Sequence, residues 1–244
     1  MDWSWLVILQ LTSAITGIVG NFLVIAVLFH RRSKNRSTDT LIGGLAFADF
    51  LTSIFLIPMP QPAYIPKTWL GEVLSRLVFT QSLLWTSITV SAYLLMSISV
   101  ERYIAVVHPL HFKRLITPRR VSTLIVIIWV LSVLSGLFGS FTRTVDTFTN
   151  KCKEQYINRL TKIIVAFYWF CLLLVVPSLT MLITQVLIAR KLSHRSNQFR
   201  GMTNSLNGKT MPSFHIVARN RVLKMMLIVI LIYLVCWTPN HIAY

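Results

Sequence analysis

Residues 77–107 read LVFTQSLLWTSITVSAYLLMSISVERYIAVV, and the only charges in that run are the adjacent Glu101 and Arg102 near its end. A helix crosses a hydrocarbon core of about 30 Å with roughly 20 apolar residues, so the run is long enough to span a bilayer. An acid beside a base at one membrane edge is costly to hold there and marks a functional position. The plainer alternative is an ion pair that only caps a helix.

The rest of the chain has the same character. Of its 244 residues, 55% are hydrophobic and 13% charged, and the mean hydropathy is +0.66. Soluble domains carry about one charged residue in four. Six apolar segments are expected, near 5–29, 40–63, 77–107, 121–141, 161–189 and 222–244. Their continuity disfavours an alternating β-barrel. The first segment lacks a basic leader and is too long for a signal peptide, so it reads as a spanning helix. The expected fold is therefore all-α: one polytopic transmembrane helix bundle over residues 1–244, with no internal repeat. Pro58 is expected to kink the second helix.

The net charge is +17. Its distribution argues against nucleic acid as a partner. With the N-terminus outside, Arg31, Arg32, Lys34, Arg36, Arg102, Lys113, Arg114, Arg119, Arg120, Arg190, Lys191, Arg195, Arg200, Lys209, Arg219, Arg221 and Lys224 fall on the inner side. These are 17 of the 24 basic residues. That bias sets the orientation and favours contact with the anionic inner leaflet of the lipid bilayer. Residues 190–222 are polar and basic and read as a flexible cytosolic loop. His108 and His111 have no thiol or carboxylate beside them and read as solvated loop residues, not a metal pair. No catalytic triad, phosphate-binding loop or paired catalytic carboxylates appear, so no enzyme is expected.

The sequence Glu101-Arg102-Tyr103, followed by Ile104 to His108 and then Pro109-Leu110, resembles the inner end of the third helix and the following loop of rhodopsin-like (class A) G-protein-coupled receptors, most like the neuropeptide type. The resemblance covers Gly20 to Pro239. It includes Gly20-Asn21 in the first helix, Leu45-Ala46-Phe47-Ala48-Asp49 in the second, Trp129 in the fourth, Pro177 in the fifth and Cys236-Trp237-Thr238-Pro239 in the sixth. It implies that Glu101, Arg102, Tyr103, Pro109 and Leu110 form an activation latch and a contact for a heterotrimeric G protein. It implies a helix-6 switch made of Trp237, Pro239, Tyr233 and Pro177, with helix 6 moving outward. It also implies a polar core of Asn21, Asp49 and Ser91, in which Asp49 and Ser91 hold a sodium ion as an allosteric ligand. No other cofactor is expected.

Leu84 lies eighteen residues before Arg102, or about 27 Å along a helix. In amine receptors this position is an aspartate, so an amine would lose its anchor here. Gln81, Leu84, Trp85 and Ile88 share one helical face by spacing. With Asn240, His241 and Tyr244 they read as a wide, mostly apolar ligand pocket that suits an extracellular peptide. The expected location is the plasma membrane, with a second receptor chain as a further partner.

Four departures accompany the resemblance. The outer end of the third helix has no cysteine, so Cys152 is expected to be unpaired. Gln185 replaces the usual tyrosine at the inner end of the fifth helix. Tyr233 replaces a phenylalanine. The chain stops at Tyr244 with no seventh helix, so six of seven helices are read and a fragment or incomplete gene model is expected. Two alternatives stay open: a non-signalling truncated receptor that pairs with full-length partners, and a transporter or channel. The orientation has a direct check. Asn35-Arg36-Ser37 is the one Asn-x-Ser/Thr sequon and falls on the inner side, so the chain expressed in mammalian cells carries no N-glycan. A glycosidase-sensitive mobility shift that disappears on Asn35→Gln would reverse the topology.

Overall fold

The computed structural model describes residues 5–30, 36–58, 68–69, 81–141, 143–145, 152–154 and 158–204. In chain order these form α1 (Trp5–His30), α2 (Arg36–Phe55), α3 (Ser82–Val107), α4 (Pro109–Leu115), α5 (Pro118–Phe141), the strands β1 (Arg143–Val145) and β2 (Cys152–Glu154), and α6 (Arg159–Phe170). A π-helical turn (Cys171–Val175) then leads into α7 (Val176–Asn204). Among the described residues, five helical stretches are long and apolar enough to cross a membrane. At 1.5 Å per residue, the 26 residues of α1 extend about 39 Å. Large apolar side chains such as Phe22, Leu23, Val27, Ile127, Leu134 and Phe167 are exposed along these spans, as expected of faces that meet acyl chains.

Prolines punctuate the helices. α2 ends at Phe55, three residues before Pro58. The helix thus breaks before Pro58, as expected when the residue before a proline is pushed out of the α region, and residues 59–63 of the expected segment lie outside the described residues. Pro109 and Pro118 open α4 and α5, where the missing N–H costs nothing. Among the described residues the third span begins at Ser82; residues 77–80 of the expected segment lie outside them. Gln81 has φ 57°, a left-handed backbone that cannot continue a helix. Its carbonyl accepts the N–H of Trp85 at 3.0 Å.

Pro177 does lie inside a helix, and it is fully buried. It removes one backbone donor, and the wider π turn before it absorbs the mismatch, a known cause of helix distortion. Val176 N–H reaches back five residues to Cys171 O, and Ser178 Oγ donates to Leu174 O and, at 3.4 Å, to Val175 O. Beyond the span, α7 runs on to Asn204. This corrects the expected loop: residues 190–204 are helical, and 205–222 lie outside the described residues. Arg, Lys, Leu and Gln are good helix formers, no proline intervenes, and extending an existing helix needs no new nucleus.

The chain divides into two compact units, residues 1–95 with 117–164, and residues 96–116 with 165–244. In the first, α1 packs along α2, and α2 packs on α5. Small residues permit this: Ala14, Ala46 and Ala48 are buried. Gln10 Nε2 donates to Leu56 O at 2.8 Å, satisfying a carbonyl that α2 leaves unpaired at its end. In the second unit, Leu173, Met181 and Ile188 are buried.

Gly17 sets the closest approach of α1 to α2. A Cβ there would run into Ser53 Oγ and lie 3.1 Å from Ser53 Cβ, whereas one at Gly20 would meet nothing within 4 Å. Ser53 cannot swing aside freely, because its hydroxyl donates to Asp49 O at 2.7 Å. Gly17→Ala therefore lowers the melting temperature of the detergent-solubilised chain, a cost of about 1–3 kcal/mol for overpacking. Gly20→Ala causes no loss. Equal effects of the two would refute the close packing at Gly17.

Candidate functional site

Two polar constellations stand out, one in each unit. In the first unit, α2 carries Asp49 in mid-span and α3 carries Ser91. Ser91 Oγ donates to Asp49 Oδ1 at 2.5 Å, a bond between residues 42 apart in sequence. A short hydroxyl–carboxylate contact is among the stronger hydrogen bonds. It spares the acid the several kcal/mol that an unsatisfied polar group costs in hydrocarbon. Asn21 does not join it through any hydrogen bond among the described residues. Its Nδ2 donates to Gly17 O, one turn back in α1, at 2.9 Å. The predicted trio is thus a pair plus a locally satisfied amide. Asp49 and Ser91 offer carboxylate and hydroxyl oxygens, the donor type that a hard cation prefers.

Phe47 packs on Trp129 with ring centroids 6.1 Å apart, tying α2 to α5. Gly136 of α5 lies close against Thr86 of α3, where any Cβ would collide with the threonine hydroxyl. Sequence reading did not single out Gly17, Ser53, Gly136 or Thr86. A glycine or hydroxyl side chain inside an apolar run is the only signal for them, and it does not say which helix it meets.

In the second unit, Glu101 is 2% exposed. Arg102 Nε lies 3.5 Å from Glu101 Oε2, with the arginine side chain 40% exposed. Neighbours one residue apart on a helix do not ordinarily face each other, so the arginine folds back to reach its partner. At 3.5 Å the contact is longer than a tight charge-assisted hydrogen bond of about 2.7–2.9 Å. One partner is enclosed and the other half in solvent, so the pair can be separated by moving Arg102 alone.

The chain turns sharply just beyond. His108 N–H still bonds Ile104 O at 2.9 Å, but its φ of −124° and ψ of 59° end the helix. Its ring meets Tyr103 edge-on at 5.9 Å and His111 at 6.4 Å. α4 follows from Pro109, and Leu110 stands 92% exposed. Gln185, in the place where a tyrosine was expected, is buried in α7.

The predicted ligand residues are only partly brought together. Leu84 is buried, Trp85 and Ile88 are half-buried, and Gln81 is exposed at the mouth of α3. Tyr233, Trp237, Pro239, Asn240, His241 and Tyr244 lie outside the described residues. The side chain of Cys152 is likewise outside them. Its backbone lies in β2, opposite Val145. Among the described residues, no group of three or more His, Cys, Asp or Glu could hold a metal ion.

These features belong together in one known architecture. Residues 20–244 match the 7 transmembrane receptor (rhodopsin family), and the chain belongs to that family: it is a multi-pass helical membrane protein of the G-protein-coupled receptor class. Among curated proteins it is similar to a QRFP-like peptide receptor of Branchiostoma floridae. The two are 26% identical over 238 residues, which is 93% of this chain and 60% of the relative. The chain thus spans about 60% of that relative's length.

Proposed function

We propose that this chain is a plasma-membrane receptor, its N-terminus outside, that binds an extracellular peptide and activates a heterotrimeric G protein. The observation that carries the reading is the Glu101–Arg102 pair at the end of α3, in a chain of this family. Three features support the finer statement. The basic residues gather at the ends of the spans taken as cytosolic. Leu84 offers no charge to an amine. A relative is called a peptide receptor.

In this reading the ligand enters among Leu84, Trp85, Ile88, Asn240, His241 and Tyr244 and bears on Trp237. The sixth span swings about Pro239, with Tyr233 and Pro177 as its neighbours in the switch. Arg102 leaves Glu101, and Tyr103, Pro109 and the exposed Leu110 become available to the G protein. A ligand drives this only by binding the active state more tightly than the inactive one. Asp49 and Ser91 hold a sodium ion that favours the inactive state. Oxygen ligands suit it, but the cation must displace the hydroxyl proton from its bond to Asp49 Oδ1.

The Glu101–Arg102 pair supplies the test. Glu101→Gln removes the charge that holds Arg102 and raises ligand-free second-messenger output about fivefold, the factor for roughly 1 kcal/mol of bias. Arg102→Ala reduces G-protein coupling while surface expression stays near normal. Unchanged output from both variants, in cells where the unsubstituted receptor signals, would discard the latch.

A further inference from the structure

The loop between α5 and α6 is basic where membrane topology gives no reason for it. Lys and Arg concentrate on the cytosolic side of membrane proteins, and this loop lies on the other side in the reading above. Residues 142–162 nevertheless hold Arg143, Lys151, Lys153, Arg159 and Lys162 against Asp146 and Glu154. Five of the seven basic residues left outside fall in this one segment.

The backbone distributes these charges unevenly. In the antiparallel β1–β2 ribbon, Arg143 stands opposite Glu154, Thr144 opposite Lys153, and Val145 opposite Cys152. The ribbon's one acid is therefore set against Arg143, and Lys153 has a threonine across from it. Four residues separate β2 from the start of α6. Asn158 caps it, its Oδ1 accepting Thr161 N–H at 2.8 Å and Thr161 Oγ1 at 2.7 Å. An aspartate would cap equally well and add a favourable charge, yet the cap is neutral and the first turn holds no acid. Instead it carries Arg159 and Lys162, both exposed and three residues apart on one side of the helix. Neither side chain has a hydrogen-bond or ion-pair partner among the described residues. Cations at this end of a helix work against its dipole, so the segment holds positive charge that the described part of its own unit does not balance.

We infer that this basic face recognises carboxylates of the ligand, so that the peptide bound by the receptor is acidic. The inference rests on the peptide-receptor reading and narrows it. Asp or Glu side chains on a peptide held above the apolar pocket would meet Arg159 and Lys162. Charge complementarity of this kind speeds encounter and excludes basic competitors.

The test uses the whole chain in nanodiscs of zwitterionic lipid. The probes are a short fluorescent glutamate-rich peptide and its glutamine counterpart, read by polarisation. The glutamate peptide binds about tenfold more tightly, a difference of roughly 1.4 kcal/mol, and the preference shrinks as salt rises. Arg159→Gln with Lys162→Gln removes most of it, while Arg190→Gln with Lys191→Gln on the opposite side leaves it intact. Unaltered thermal melting of both double variants confirms that folding is preserved. Equal binding of the two peptides, binding of neither, or loss of the preference only in the Arg190/Lys191 variant would overturn the inference. The broader reading is judged separately by the ligand-free signalling of Glu101→Gln, which needs no peptide.

Discussion

Lipid offers no hydrogen bonds, and most of this structure follows from that constraint. Every polar group within a span must find a partner in the protein or bear a cost of several kcal/mol. Most hydroxyls settle locally: Thr12, Thr16, Thr52, Ser87, Thr89, Thr180 and Thr184 each donate to a carbonyl one turn back in their own helix. These bonds need no neighbour and fix no tertiary structure. Asp49 is different, since a carboxylate only accepts and must be reached by a donor. Ser91 of α3 reaches it, so one acid fixes α2 and α3 in register. Ser53 then bonds Asp49 O one turn further along. That bond holds the Ser53 side chain against Gly17, which makes glycine necessary in α1. Contacts from α1 and from α3 thus both converge on the turn of α2 that begins at the half-buried Asp49.

The second unit uses the same constraint for a different purpose. Glu101 is buried almost completely, but its partner Arg102 keeps much of its side chain in solvent. A pair of this kind is less settled than a pair buried on both sides, because the cation has water to return to. Pro177 adds a second place of low resistance, where the α-helical ladder gives way to a π turn over Cys171–Val175. Both features suit a protein that changes shape, and both lie in the unit that includes the end of α3 and all of α7.

Much of this was legible in the residues. Long apolar runs gave the spans, because the length a bilayer requires is fixed. Asp49, Ser91, Glu101 and Arg102 were visible because charge and hydroxyl groups are rare in such runs, and the structure holds them as two contacts, Ser91 with Asp49 and Arg102 with Glu101. The places where the reading failed have physical reasons. Apolar composition continues past Phe55, but the backbone before Pro58 does not. Basic composition after Arg190 suggested a loop, yet those residues propagate a helix readily. Asn21 looked like a member of the polar core, although an amide in mid-helix can satisfy itself at Gly17 O. Helix contacts such as Gly17 with Ser53 depend on which faces meet, and one sequence does not encode that openly.

The central claim is that the Asp49–Ser91 bond, formed across 42 residues, organises the first unit. A double-mutant cycle tests it most directly, using Ser91→Ala, Asp49→Asn and the double variant. Thermal unfolding is measured in sodium chloride and in choline chloride. The account predicts that the double variant loses less than the sum of the two single losses, with a coupling of about 1 kcal/mol. It also predicts that sodium stabilises the chain more than choline does only while both residues are intact. Additive losses, the same in both salts, would contradict it.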